Sequence, residues 1–512
     1  MADSTQSNSS RIAKNTIVMY VGQIAILLVS LYTVRVVLRV LGSEDYGVYN
    51  VVAGAVTMFG FLIGAMAISS QRFLSYAIGK NDEELLRKNF RATLTIYVLL
   101  GGIIILLGET IGLWFLNTKL VIPEPRIVAA NVVYQLSLVN YFLSIIMTPF
   151  MSAIMAHEDM SIYAKISILD VFLKLAIVFL LYIIPFDKLI VYGVLLVVVS
   201  NIDRILYQRF CKKHYRECEF VLEFDRDKLK EIASFSGWNL FGNIAWIIKN
   251  QGTSFLLNIF FGPVMNAAQT IAIQVRSVIT NLASNFSSAA QPQIIKKYAN
   301  GDYDSMLNLT FTACKLSFYL MIFISIPLIL NVDYVLSIWL NDVPEYANSF
   351  VILMLCEASI EAMSTPTASA NQATGKIKYY QTVIGILGIL NLPISYLLLR
   401  LNFSVIYVYV TSCLLQFLIV VHRLLCLERI KSGSFVRGLS KVFVPCGIVV
   451  LICVILCHLV NIEATSFYIL IRNICICVSI TLPIILIIGL RKEERVFIIS
   501  FIKNAMNKFK TK

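Results

Sequence analysis

Apolar segments long enough to cross a membrane recur along the whole chain. A helix that crosses the lipid core needs about 20 mostly apolar residues, and only helices or closed barrels satisfy the backbone hydrogen bonds there. These segments are too long and continuous for the alternating strands of a membrane barrel. Charged residues make up only 14% of the chain and hydrophobic residues 58%, so a water-facing fold could not bury the apolar surface.

We therefore predict an all-α integral membrane protein with about 14 transmembrane helices. The predicted spans are residues 15–40, 47–68, 92–116, 127–150, 166–184, 189–207, 237–260, 264–286, 309–331, 346–370, 381–400, 404–424, 441–461 and 467–490.

An internal repeat divides this set of spans. Residues 148–156 and 365–373 share the pattern T-P-x-x-S-A-x-x-A, and Gly42 and Gly262 follow equivalent spans. The repeat predicts two six-helix bundles that insert the same way up, because each contains an even number of spans. The predicted divisions are a cytosolic N-terminus (1–14), a first bundle (15–207), a cytosolic linker (208–236), a second bundle (237–424), helices 13 and 14 (441–490) and a basic cytosolic tail (491–512).

Basic residues alternate between the two sides of this predicted topology. One side carries 32 Lys and Arg residues and the other only five. Because flanking Lys and Arg favour the cytosol, we expect both termini to be cytosolic. The net charge of +13 then reflects topology and attraction to lipid, and requires no nucleic acid.

The sequence shows no arrangement typical of a catalytic site. Its four histidines lie near predicted membrane edges without a convergent acid or nucleophile, and it has no glycine-rich phosphate loop. The predicted external loops are short. We therefore predict a transporter rather than an enzyme, with no cofactor and no metal site.

Two basic residues are expected near the middle of the membrane. Lys249 and Arg276 each lie about twelve residues into predicted spans seven and eight, where an ionised side chain costs at least ~2.5–3.5 kcal/mol. One interpretation is that they line a central cavity and bind substrate; the alternative is a salt bridge to a carboxylate of a neighbouring span. The predicted polar lining of that cavity is Asn239, Asn243, Trp246, Asn250 and Gln269.

Two acidic residues, Glu357 and Glu361, lie one turn apart on predicted span ten. They predict either a site for proton or Na⁺ coupling or a set of salt bridges to Lys249 or Arg276. Asp170 and Lys174, also one turn apart, predict an ion pair within one helix.

Fixed cations at this depth favour an anionic ligand such as phosphate, pyrophosphate or an acidic sugar. A cavity for lipophilic cations would instead be dominated by acidic residues.

Short motifs after predicted spans one, two and ten carry a family resemblance: Leu41-Gly42 with Tyr46-Gly47, Gln71-Arg72, and N-Q-A-T-G-K at residues 371–376. With the two bundles, they make the chain resemble the bacterial polysaccharide flippases. These are Wzx-type transporters for O-antigen (lipopolysaccharide) and capsule, within the MATE-like multidrug/oligosaccharidyl-lipid/polysaccharide (MOP) superfamily.

The resemblance implies a multi-pass protein of the bacterial cytoplasmic (inner) membrane. By alternating access it would move undecaprenyl-pyrophosphate-linked oligosaccharide from the cytosolic to the periplasmic leaflet for polysaccharide biosynthesis. Lys249 and Arg276 would then contact the anionic group, and Arg35 and Arg72 resemble first-bundle arginines of related flippases. The implied partners are the lipid-linked oligosaccharide, membrane lipids and the polysaccharide polymerase machinery.

Two other functions remain open at this stage. A cation-coupled multidrug exporter of the same fold is the first alternative, and the deep acids Glu357 and Glu361 favour it. A membrane-embedded polysaccharide enzyme is the second. It would need a His or Arg site in a sizeable external loop.

Overall fold

The computed structural model describes residues 60–118, 122–340, 343–460, 464–491 and 494–495, with separate positions between 26 and 56. These residues form helices joined by short turns, and no β-strand occurs among them. The predicted all-α class is confirmed. Predicted span one falls mostly outside the described residues, and the first part of span two is described only at separate positions.

The helices are numbered in chain order. They are α1 (Gly60–Lys80), α2 (Glu83–Leu107), α3 (Leu113–Thr118), α4 (Ile127–Ala156), α5 (Met160–Ile183), α6 (Lys188–His214), α7 (Arg226–Phe261), α8 (Pro263–Ala299), α9 (Tyr303–Leu330), α10 (Val332–Trp339), α11 (Ala347–Ala362), α12 (Thr365–Ala373), α13 (Lys378–Arg400), α14 (Ile406–Leu427), α15 (Ser434–Gly438), α16 (Val444–Val460) and α17 (Phe467–Ile484).

Within the described part of the chain, ten helical segments are long and apolar enough to cross a membrane. They coincide with predicted spans three to six and nine to fourteen. Predicted spans seven and eight are also helical, as α7 with 36 residues and α8 with 37. Polar side chains recur along both helices and lower their hydropathy, so neither is among the ten. The total of fourteen spans stays a prediction.

The chain divides into two compact units, Asn15–Leu240 and the residues from Phe241 onward. In the first unit α4 packs against α1, α2 and α6. In the second, α11 packs against α8, α9 and α14, which are the equivalent helices of the repeat. The two copies of the sequence motif also have equivalent places, because one ends α4 and the other forms α12. The limits predicted for the bundles and the linker stay predictions.

The glycines that the repeat pairs both have a positive φ angle. Gly42 has a φ of 80° and Gly262 a φ of 78°. Side chains disfavour this left-handed region because of their Cβ atom, whereas glycine enters it freely. At Gly262, a Cβ would meet no atom within 4 Å, so the backbone alone requires glycine there. The positive φ of both glycines supports the duplication.

The last two apolar helices pack on the second unit through small side chains. Helices α16 and α17 both contact α9, and Cys446, Cys453, Cys457 and Cys477 are buried in that core. These cysteines act as small apolar residues.

The chain after α17 is also attached to α9, because Glu494 forms a salt bridge with the buried Lys315. Lys315 is only 2% exposed, so Glu494 supplies the countercharge that its ammonium group needs.

Candidate functional site

The candidate site is built on α11, whose centre lies among α8, α9 and α14. Phe350, Val351 and Leu355 on this helix are fully buried. Glu357 lies two residues after Leu355 and Glu361 four residues after that, and this spacing of four places the two acids on one face. The apolar sequence around them therefore carries two carboxylates into the interior of the second unit.

Two cations from neighbouring helices meet these carboxylates. Lys249 Nζ of α7 lies 2.5 Å from Glu357 Oε1. Arg276 of α8 contacts both acids: Nη1 is 3.4 Å from Glu357 Oε2, and Nη2 is 2.9 Å from Glu361 Oε2. We call these four residues the charge cluster. Its two positive and two negative charges balance formally.

The four side chains differ in exposure. The side chain of Glu357 is 6% exposed, those of Lys249 and Arg276 are 12% and 14% exposed, and that of Glu361 is 36% exposed. Buried charges are tolerated when they are paired and hydrogen-bonded. Glu357 is therefore enclosed between two cations, whereas Glu361 forms the open side of the cluster.

Helix α14 covers the buried side of the charge cluster with uncharged side chains. The Tyr409 ring lies 4.5 Å from that of Phe350, and Tyr409 is 3% exposed. Its hydroxyl group forms no hydrogen bond to any described residue. The nearby Cys413 thiol reaches the Leu353 carbonyl at 3.4 Å. Charge in this region therefore comes from α7, α8 and α11.

The five residues predicted to line a cavity have different environments. Asn239 and Gln269 are each 3% exposed. The Gln269 carbonyl oxygen accepts a hydrogen bond of 2.7 Å from the Ser254 hydroxyl, which links α8 to α7. These two residues belong to the packed interior of the fold.

The remaining three lie nearer the surface of α7. Trp246 is 55% exposed, while Asn243 and Asn250 are half-buried. The Asn250 amide donates to the Trp246 carbonyl at 3.0 Å. The same helix also exposes apolar side chains, including Phe255 and Ile259.

Sequence reasoning missed an exposed polar row on α8, which packs between the apolar helices α9 and α11. Its members are spaced by three or four residues and therefore share one face. They are Thr270, Gln274, Ser277, Asn281 and Ser284, and all are exposed. We call this row the α8 polar stripe. The spacing was visible in the sequence, but periodicity alone does not show which side of a helix stays uncovered.

Of the two arginines predicted as functional in the first bundle, only Arg72 is among the described residues. Arg35 lies outside the described residues. Arg72 is 6% exposed, and its guanidinium carbon lies 4.6 Å from the centre of the Phe73 ring, 5.0 Å from Tyr76 and 5.4 Å from Phe235. This arrangement is typical of cation–π contact and holds Arg72 within the first unit.

A separate group of charges lies in the first unit. The predicted ion pair within α5 is confirmed, since Lys174 Nζ lies 2.8 Å from Asp170 Oδ2. Asp203 of α6, which sequence reasoning missed, lies close to Asp170 and is 7% exposed. Its Oδ1 atom forms no hydrogen bond to a described residue. Two carboxyl groups thus lie near one ammonium group, which pairs with Asp170.

Sequence comparison connects the chain to two families of membrane transporters. A family model described as polysaccharide biosynthesis protein matches residues 12–298, more than half of the chain. The MatE family model matches residues 242–397, which include the whole charge cluster. A search of curated proteins finds no match.

Solved transporter structures share the fold. A mutant of the MATE transporter of Vibrio cholerae has 14% sequence identity and a TM-score of 0.68, with 85% of this chain and 100% of that chain covered. A second MATE mutant structure has 13% identity, 85% and 96% coverage and a TM-score of 0.68. A MOP superfamily transporter from Pyrococcus furiosus, described as having a binding pocket of reverse polarity, has 13% identity, 86% and 96% coverage and a TM-score of 0.62.

Proposed function

The chain belongs to the polysaccharide biosynthesis protein family within the MOP superfamily of membrane transporters, and on this premise we propose that it flips a lipid-linked oligosaccharide. The proposed substrate is an undecaprenyl-pyrophosphate-linked oligosaccharide, which moves from the cytosolic to the periplasmic leaflet of the bacterial inner membrane by alternating access of the two bundles. Both termini are then cytosolic, and the chain performs transport without chemical catalysis.

The observation that carries this proposal is the position of Arg276. Its guanidinium group sits inside an apolar bundle, and one of its two carboxylate partners, Glu361, is partly exposed. A guanidinium group offers a planar fork of donors that matches a phosphate in a bidentate arrangement. A pyrophosphate headgroup can therefore take the place of Glu361 at Arg276, with Lys249 adding positive charge nearby.

The α8 polar stripe supplies groups suited to the sugar part of the substrate. Its side chains are hydroxyls and amides, which both donate and accept hydrogen bonds. The hydroxyl groups of Thr270, Ser277 and Ser284 already donate to backbone carbonyls of α8 itself. The amides of Gln274 and Asn281 depend most on water or a polar ligand, because lipid tails cannot satisfy them. We assign the α8 polar stripe to the hydroxyl groups of the oligosaccharide.

A multidrug exporter remains the second candidate. The MatE match over residues 242–397 favours it, as does the pair Asp170 and Asp203 with its single cation. Against it, both Glu357 and Glu361 are already paired with cations, which leaves little negative charge in the cluster for a lipophilic cation. Proton or Na⁺ coupling is compatible with either candidate.

A bacterial strain that lacks its own polysaccharide flippase tests the proposal. Because Arg276→Gln alone leaves Glu361 without its partner, the informative variant is Arg276→Gln with Glu361→Gln, which keeps the Lys249–Glu357 pair balanced. We expect wild type to restore surface polysaccharide and this double variant to restore none at equal membrane abundance. Restoration by the double variant would exclude Arg276 as the headgroup site.

The same strains separate the two candidates. If the protein is a flippase, Asp203→Asn leaves the efflux of cationic dyes unchanged. If it is a cation exporter, the same variant loses dye efflux.

A further inference from the structure

The two acids of the charge cluster are held very differently. Glu357 contacts both Lys249 and Arg276, and it is the most buried member of the cluster. Among the described residues, Glu361 has a single ion-pair partner, Arg276, and its side chain is 36% exposed. Glu361 can therefore leave its partner without exposing Glu357.

The backbone at Glu361 is fixed while its side chain is open. Its carbonyl oxygen accepts hydrogen bonds from the Ser364 amide at 2.9 Å, the Ser364 hydroxyl at 3.2 Å and the Thr365 hydroxyl at 3.0 Å. These donors lie where α11 ends and the repeated motif begins α12. Release of Arg276 thus needs only a rotation of the Glu361 side chain.

An anionic headgroup and Glu361 cannot share Arg276 without repulsion. The guanidinium group has one edge directed at Glu361, which is also the accessible side of the cluster. Two negative groups side by side are destabilised, and water screens this repulsion poorly in a partly buried site. Binding of the headgroup therefore requires that the Glu361 carboxylate turn away.

We propose that Glu361 is an internal competitor of the substrate: it occupies Arg276 in the empty transporter, yields to the anionic headgroup on binding, and returns to Arg276 on release. The inference rests on the proposed function. The exchange breaks and forms only ion pairs, so no covalent bond changes. Competition lowers the affinity for the headgroup and accelerates its departure, which a transporter needs as much as it needs binding.

The test measures binding of inorganic pyrophosphate to the full-length protein in lipid nanodiscs by calorimetry. Because Glu361→Gln removes the competing charge, we expect it to bind pyrophosphate on the order of tenfold more tightly than wild type, about 1.4 kcal/mol. We also expect slower turnover in a flipping assay, because release loses its returning partner. A merely destabilised protein would lose affinity instead.

Two variants serve as controls. Glu361→Asp keeps the charge, so its pyrophosphate affinity should stay below that of Glu361→Gln. The double variant Arg276→Gln with Glu361→Gln should bind no pyrophosphate, which locates the measured binding at Arg276.

Equal or weaker binding by Glu361→Gln, or no binding by either protein, would overturn the inference, since an unoccupied Arg276 should attract the probe. The proposed function is judged separately by the surface polysaccharide of the double variant. If that variant makes no polysaccharide while Glu361→Gln leaves pyrophosphate affinity unchanged, only the internal competition is wrong.

Discussion

At the scale of single residues, the charge cluster is a balanced arrangement inside an apolar bundle. Each carboxylate has a cation, and each cation has a carboxylate. Removal of one buried partner leaves the other charge uncompensated, whereas removal of both at once does not. This difference separates the structural role of Glu357 from the ligand-facing role of Glu361.

Glu357→Gln makes the same substitution as Glu361→Gln, one helical turn earlier on α11. It leaves the buried Lys249 without a full countercharge, so we expect a destabilisation of about 3–5 kcal/mol. Thermal unfolding of the purified protein measures this loss of stability. A second change, Lys249→Met, should recover most of the loss, and an unchanged midpoint in Glu357→Gln would contradict the pairing.

The sequence predicted these four residues but left their arrangement open. Depth along each apolar segment placed Lys249, Arg276, Glu357 and Glu361 inside the membrane, and salt bridging was one of the two interpretations. The choice depends on how each helix is rotated about its axis against its neighbours. That rotation is a property of packing between distant segments, which no local pattern records.

At the scale of elements, the helices follow directly from apolar length and from local end signals. Asp82, Asp187 and Asp302 precede α2, α6 and α9, and each accepts a hydrogen bond from a backbone amide of the first turn. Such caps satisfy amides that the helix itself leaves free. The same reasoning could not find the α8 polar stripe or Asp203, because both depend on which helix face remains uncovered or meets a neighbour.

Gly262, between α7 and α8, gives the first prediction at this scale. Its φ of 78° and ψ of −173° belong to a region that only glycine enters readily. Gly262→Ala should therefore destabilise the protein by about 1–3 kcal/mol. Gly388→Ala within α13 is the control, since its Cβ also meets no atom within 4 Å, but there the backbone is helical. Equal melting temperatures for the two variants would refute the assignment of strain.

The α8 polar stripe gives the second prediction. Gln274→Leu with Asn281→Leu should reduce surface polysaccharide several-fold, because the hydrogen bonds assigned to the sugars are lost. Folding should be unaffected, since both side chains are exposed. Val278→Leu, an exposed apolar change on the same helix, should leave transport intact. A normal amount of surface polysaccharide in the double variant would show that the α8 polar stripe does not contact the substrate.

At the scale of the whole molecule, duplication explains the organisation of the chain. Equivalent helices have equivalent neighbours in the two units, and the paired glycines both have a positive φ. The charges do not follow this symmetry. The group on α5 and α6 of the first unit brings two carboxyl groups near one ammonium group, whereas the charge cluster of the second unit has two charges of each sign. An ancestral fold has thus acquired different chemistry in its two halves.

In the proposed transport cycle, Arg276 receives the anionic headgroup of a lipid-linked oligosaccharide. The most direct measurement is flipping of a fluorescent lipid-pyrophosphate-linked oligosaccharide in vesicles that contain the purified protein. We predict rapid transfer between leaflets with wild type and only background transfer with the folded double variant Arg276→Gln, Glu361→Gln. Transfer at the wild-type rate by that variant would contradict it.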